Sequence, residues 1–336
     1  MRILHLYRPR MASTRAQSVQ VIHTCHALAR RGHHVTLFAD RGEPGGLDAY
    51  GLDHPATLDL RVAPTAYPPV AGLWFRTQLL AWRGDVVYAR AKRYVAMARG
   101  PVVIEAHEVD SALAAERGED PAEARALEEA VFARASGVVT NCGGTLALLE
   151  ATHTLPRHRR VIHNATRADR VLRRDPAPSP LVGYTGSPRD YKGLDTVFAS
   201  LPSWPAALEM VGGAPPDAPS AVSVVPAVPY GALPARLARY HALLLPLQDN
   251  LFGRHLTSPL KLWDYLATGI PIVAADLPTT REIGGDTLHY YRPGDPASLA
   301  EAVARALAAG ASPARLRTWD DRAAEIEAFL GEALAV

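Results

Sequence analysis

The 336 residues exceed what one hydrophobic core usually serves, so two domains of ordinary size are expected. With 48% hydrophobic and 21% charged residues and no low-complexity tract, the composition excludes disorder of the chain as a whole. A formal net charge of +2 leaves no nucleic-acid footprint, and the two cysteines, Cys25 and Cys142, stand far apart without ligand-spaced neighbours, which argues against a disulfide framework or a zinc site.

Residues 2–7 read as a short strand and 8–14 as a polar loop. A helix over 17–31 follows, with Val21, Ile22, Cys25, Leu28 and Ala29 on one face and Gly32 as its stop. The strand-forming run His34-Val35-Thr36-Leu37-Phe38-Ala39 comes after a short connection, giving a strand–helix–strand unit with parallel pairing. Residues 70–82, with Leu73, Trp74, Phe75, Leu79, Leu80 and Trp82 and with Arg76 among them, read as a core helix, although an interfacial membrane helix has the same pattern. Apolar runs without alternation at 85–89, 102–106 and 137–140, separated by helical stretches such as 121–135, fit strands buried on both faces of a parallel sheet. Arg157-His158-Arg159-Arg160 reads as a solvated turn, with contact to anionic lipid or a phosphorylated acceptor as the lesser alternative.

Three prolines within 173–180 prevent a regular helix, and the domain boundary is placed there: a first domain over 1–172, a linker over 173–180 and a second domain over 181–318. In the second domain strands are expected at 181–185, 208–211, 243–246 and 270–274, and helices at 194–200, 259–268 and 299–309. A last helix, from 319 to 335, follows after that domain is complete. No run of about 18 apolar residues occurs, and the apolar start is too short for a signal peptide, so a soluble, cytoplasmic chain with at most peripheral membrane contact is expected.

Two segments carry chemistry. Gly186-Ser187-Pro188-Arg189-Asp190-Tyr191-Lys192-Gly193 lies between a strand and a helix, where backbone N–H groups and a cation can hold a diphosphate; an ordinary turn with a solvated lysine has the same form. The second, Ser258-Pro259-Leu260-Lys261-Leu262-Trp263-Asp264-Tyr265-Leu266-Ala267, opens a helix that Ser258 would cap, with Pro259 at its first position and Leu260 in its first turn. Lys261 would complete an anion site there, and Asp264 could accept both hydroxyls of a ribose; a surface helix with a Lys261–Asp264 pair is the plainer reading.

These motifs resemble glycosyltransferase family 4, a retaining family of the GT-B fold. The resemblance implies α/β architecture with two Rossmann-like doubly wound domains facing a central cleft and a C-terminal helix crossing back to the first. In the family a Gly-Arg-Leu-x-x-x-Lys-Gly pattern binds the donor diphosphate; Lys192 matches its lysine, Ser187 stands where its arginine would be, and Arg189 is the candidate substitute. Of two family acids separated by seven residues, the second, a ribose binder, aligns with Asp264, and the first falls at Leu256, which leaves Arg254 and His255 as candidate lining for the sugar. His107, at the end of the run Val102-Val103-Ile104-Glu105-Ala106, is similar to the family histidine facing the donor sugar, and Ser13, Thr14, Arg15 and Gln17 resemble a loop that touches donor phosphate or acceptor.

The implied reaction moves a sugar from a UDP- or GDP-sugar to a hydroxyl acceptor with retention of configuration, without a cofactor or metal. No Asp-x-Asp metal motif occurs in the sequence. A nucleotide-sugar epimerase of the same architecture and a donor-binding partner protein that has lost catalysis are the competing readings. A dehydrogenase is disfavoured, because Tyr7-Arg8-Pro9-Arg10 replaces the glycine fingerprint of dinucleotide sites.

Overall fold

A short apolar strand followed by a helix can bury both faces of a parallel sheet only if the helices cover those faces in turn. The computed structural model describes residues 1–167 and 174–335 and contains two sheets built this way. The chain divides into two units, one of Met1–Asn164 with Trp319–Val336 and one of Ala165–Thr318.

The first unit runs β1 (Arg2–Leu6), α1 (Ala16–Arg30), β2 (His34–Ala39), β3 (Leu58–Val62), α2 (Pro68–Ala81), β4 (Val86–Ala89), β5 (Val102–Ala106), α3 (Asp110–Glu116), α4 (Ala122–Arg134), β6 (Gly137–Thr140), α5 (Gly143–Thr152) and β7 (His158–Val161). Its sheet is parallel throughout, in the order β3-β2-β1-β4-β5-β6-β7. The second unit runs β8 (Leu181–Thr185), α6 (Leu194–Ser200), β9 (Ala207–Val211), β10 (Ser223–Val225), α7 (Leu233–Leu237), β11 (Ala242–Leu245), α8 (Leu260–Thr268), β12 (Ile272–Ala275), α9 (Pro278–Gly284), β13 (His289–Tyr291) and α10 (Pro296–Ala309). Its parallel sheet has the order β10-β9-β8-β11-β12-β13. Both are doubly wound Rossmann-like sheets. Strand order reverses between β1 and β4 in one and between β8 and β11 in the other, and ligands of open α/β sheets bind outside the strand ends at such points.

The final helix, α11 (Trp319–Leu334), belongs to the first unit. Trp319, Ala323, Ile326, Phe329, Leu330 and Ala333 recur at helical spacing and are buried, and burying each large member contributes roughly 1.5–3 kcal/mol. Trp319 stacks on His23 of α1 with ring centroids 5.4 Å apart, and the Arg31 guanidinium donates to Glu327 at 2.6 Å. This second cover explains why the polar His23 of α1 is buried beside its apolar face.

Several expectations change. The division falls at 164/165, ahead of the proline-rich stretch, because Thr166 N–H donates to Arg317 O at 2.9 Å and bridges Thr318, which ties residues 165–167 to the second unit. The remaining described part of the expected linker hydrogen-bonds to that unit as well, Asp175 N–H to Ala238 O at 3.1 Å and Ala177 N–H to Arg239 O at 2.9 Å. Arg173 and the end of the expected first domain lie outside the described residues. Within the Arg157–Arg160 segment, His158, Arg159 and Arg160 belong to the edge strand β7 rather than to a turn; Arg159 donates to Glu150 at 2.6 Å and Arg160 to Glu332 at 2.8 Å, while Arg157 is exposed just before the strand. Helix α2 buries only Ala71, Phe75 and Leu79, leaving Val70, Leu73 and Leu80 exposed, so the core reading holds for one face. No helix among the described residues is long and apolar enough to cross a membrane.

Candidate functional site

At the β8–β11 reversal the backbone turns away from the sheet through Gly186, whose φ of +124° suits glycine alone. A Cβ there would stand 3.1 Å from Lys261 Nζ, so the glycine also gives the Lys261 side chain its place. That ammonium lies 3.9 Å from the ring centroid of Tyr184, buried, with no hydrogen-bond acceptor among the described residues. Burial, and then the charge of Lys192, hold Lys261 well below the usual lysine range. Burial pushes Lys192, which lies over the Tyr191 ring at 4.7 Å, down to about 8. A desolvated cation over an aromatic ring recovers about 2 kcal/mol, less than a buried charge loses on leaving water. Two such ammoniums, close enough for the charge of one to act on the other, make a place where a multiply charged anion is stabilised.

The surrounding frame is fixed by backbone contacts. Thr185 N–H donates to Tyr265 Oη of α8 at 3.0 Å, and Gln248 N–H donates to Tyr191 O at 3.1 Å. Helix α8 opens with Pro259 in the capping position and no side-chain cap, so Ser258, though buried at this point, is not the cap expected of it. Leu260 is the first helical residue. One turn on, Asp264 is buried and its Oδ1 accepts from Thr166 Oγ1 and from Tyr230 Oη, the latter at 2.9 Å. Hydroxyl partners therefore replace the Lys261–Asp264 pair of the plainer reading.

Other expected members stand apart. Ser187 is exposed, and its carbonyl accepts from Tyr184 Oη at 3.1 Å. Arg189 is exposed too, and its carbonyl accepts the Lys192 N–H at 2.9 Å. The cation whose charge acts together with Lys192 is Lys261, contributed by α8, while the Arg189 side chain is exposed. Leu256, at the missing acid's position, is buried at the end of a π-helical turn, Phe252–Leu256, a geometry frequent at functional sites. That turn also carries Arg254 and the half-buried His255, but Asp249 holds the Arg254 guanidinium from two sides, which removes it as a ready sugar contact.

In the first unit His107 follows β5, in contact with a buried carboxylate. Its Nε2–H donates to Glu105 Oε1 at 2.8 Å, and Nδ1 accepts from Asn141 Nδ2 at 3.2 Å, which assigns a neutral ring. Burial and then the Arg90 charge push His107 down to about 4. Glu105 also accepts from Gln20 at 2.8 Å and from the fully buried Arg322 of α11, with His5 Nε2 at 3.7 Å. Burial alone would raise the Glu105 carboxyl, but Arg322 and His107 outweigh it and hold the carboxyl well below the usual range. Sequence reasoning singled out His107 and missed this network; the one signal was an acid inside an otherwise apolar strand.

The first loop joins a cavity of ≈ 360 Å³ whose lining includes Arg8, Arg10, Arg15, Gln17, Asp40 and Arg41. Ser13 N–H donates to Tyr50 Oη at 3.0 Å, Ser13 Oγ accepts the Arg15 N–H at 3.2 Å, and Gln17 Oε1 accepts from Tyr7 Oη at 3.2 Å. Thr14 is exposed next to them. Arg8, Arg10 and Arg41 were not foreseen as a group, because two separate loops supply them.

Comparison with known proteins agrees with this architecture. Residues 17–170 match the family model described as Glycosyltransferase Family 4, and residues 179–309 the model described as Glycosyl transferases group 1. No curated protein sequence matches the chain closely enough to count as a relative. Among solved structures, sucrose-phosphate synthase (tll1590) from Thermosynechococcus elongatus is similar over 100% of this chain and 96% of its own, at 18% identity and a TM-score of 0.74. WaaG, a glycosyltransferase involved in lipopolysaccharide biosynthesis, covers 99% of this chain and 98% of its own at 16% identity with a TM-score of 0.69. Anabaena Alr3699/HepE in complex with UDP and glucose covers 99% and 100% at 14% identity with a TM-score of 0.68. The two matched segments, which describe glycosyltransferase domains in both units, and the shared GT-B architecture support a family-4-like glycosyltransferase.

Proposed function

We propose that the chain transfers a sugar from a UDP- or GDP-sugar to a hydroxyl acceptor with retention of configuration. The observation that carries this reading is the pair of desolvated ammoniums at the strand reversal of the second unit, Lys261 beside Gly186 and Lys192 near enough for its charge to act on it. The uncapped start of α8 adds N–H groups of the same polarity. Asp264, the acid matched to the family's ribose binder, is held in place through Oδ1 by the Thr166 and Tyr230 hydroxyls. The UDP, glucose and UDP-glucose held by HepE favour uridine as the base.

In the reaction the bond between the sugar's anomeric carbon and the diphosphate oxygen breaks, and the acceptor oxygen attacks from the same face. The acceptor proton passes to the departing phosphate. Lys192 and Lys261 stabilise the charge that grows on the leaving group, the role of a metal in other transferases. His107, held neutral by Glu105 and Asn141 in the first unit, is suited to donating or accepting a hydrogen bond rather than to carrying a charge. A ligand that binds only the folded state raises its melting temperature, so a panel of UDP, GDP, ADP and dTDP tests the donor class. A clear rise with UDP or GDP is expected; no rise with any of the four contradicts the proposal.

A further inference from the structure

We propose that the cavity of the first unit binds the phosphate group of a phosphorylated acceptor. This deepens the transferase reading by naming the chemistry of the molecule that receives the sugar. Arg8, Arg10, Arg15 and Arg41 line the cavity with Asp40 as the single acid, an excess of positive charge that a dianion can balance. Asp40 belongs to the frame: it accepts from Arg8 Nε at 3.2 Å and from Arg8 NH2 at 2.5 Å, and the same guanidinium lies over the Phe75 ring at 5.0 Å. Arg10 stands 3.9 Å from Glu43, both exposed, which is a weak hold. The exposed Arg15 and Arg41 side chains have no ion pair among the described residues.

The two loops that carry these arginines are built against each other. Asp40 N–H donates to Pro9 O at 2.9 Å, and Met11 N–H donates to Asp40 O at 3.1 Å. A Cβ on Gly42 would stand 1.9 Å from Met11 O, so no other residue allows the loops to approach so closely. Ala12 adopts φ +54°, a conformation that costs a non-glycine residue energy and persists where the surroundings dictate it. The arginines are therefore presented by a fixed double loop at the ends of β1 and β2, where planar guanidinium forks can meet phosphate oxygens in pairs. Tyr67, just before α2, and Val70 and Leu73 of α2 are exposed, and α2 also lines the cavity through Pro68 and Ala71, so the test separates a soluble phosphate ester from a lipid-borne one.

The experiment titrates the full chain with glucose 6-phosphate, with glucose as the uncharged control, and floats it with phosphatidylcholine vesicles with and without phosphatidic acid. Each is repeated on Arg15→Gln/Arg41→Gln and on Arg10→Gln, exposed positions at which the fold should be kept, with UDP titrated in parallel. Binding of the sugar phosphate, or flotation that requires phosphatidic acid, should weaken about tenfold or more in the double variant and less in Arg10→Gln, with UDP affinity unchanged. Equal binding by wild type and double variant, absence of both kinds of binding, or a parallel loss of UDP affinity would overturn the assignment. Failure of the wild type to bind UDP is a separate result that counts against the donor site alone.

Discussion

Lys192 carries a pH signature. Its folded value of about 8 lies below that of a free lysine, so the unliganded protein loses this charge as pH rises through 8, while a bound diphosphate favours the charged form. UDP affinity should therefore be flat below about pH 8 and fall by up to roughly tenfold per pH unit above it. Stability runs the other way: the depressed value makes the unliganded fold gain from pH 8 toward about 10.4, where an unfolded lysine titrates, and lose that gain as pH falls back through 8. Calorimetric titration between these limits checks both, and Lys192→Arg, which keeps its proton, should flatten the affinity curve. A wild-type affinity independent of pH would contradict the assignment. In turnover, Lys192→Ala should lower kcat, because the contact strengthens as the leaving group gains charge. Asp264→Asn should mainly raise the donor KM, since ribose is held alike in ground and transition states. Unchanged kinetics in both variants over a full donor titration would remove the site.

At the scale of elements, α11 fastens the first unit from within. Arg322 is fully buried and donates to Glu105, so Arg322→Met leaves a buried carboxylate without its main counter-charge, a loss of about 3–5 kcal/mol. Urea unfolding followed by circular dichroism should show the midpoint falling, and deletion of residues 319–336 should lower it further; an unchanged midpoint in either refutes the role. The helix itself is legible in the sequence, because its apolar positions recur at helical spacing, but Arg322 is not, since a lone arginine among polar neighbours reads as solvated. The strands divide in the same way. Central strands such as β4 and β11 are covered on both sides and read as plain apolar runs, whereas the edge strand β3, with Asp59 and Arg61, and β7, with His158, Arg159 and Arg160, keep one side toward water and lack that signal.

For the whole molecule, the two-domain α/β architecture follows from the repeated strand–helix alternation, and the donor segments were found because glycine, lysine and a helix start stand in order along the chain. What the sequence left open was which cation joins Lys192: Arg189 is near it in sequence, and Lys261, 69 positions further on by the chain's numbering, arrives through the strand reversal. If these lysines and the start of α8 supply the charge stabilisation, transfer should survive EDTA; loss of activity restored by one divalent metal would contradict that reading. The most direct test of the central claim is Lys261→Met, read for both stability and UDP binding. Removing a buried charge that lacks a hydrogen-bond acceptor relieves its desolvation, so the unliganded variant should melt at a higher temperature than wild type. Its UDP affinity should fall by roughly ten- to hundredfold, the worth of a charge-assisted contact of about 1.5–3 kcal/mol. A variant that binds UDP as tightly as wild type, with a melting temperature that is unchanged or lower, would show that this ammonium is not held for a diphosphate.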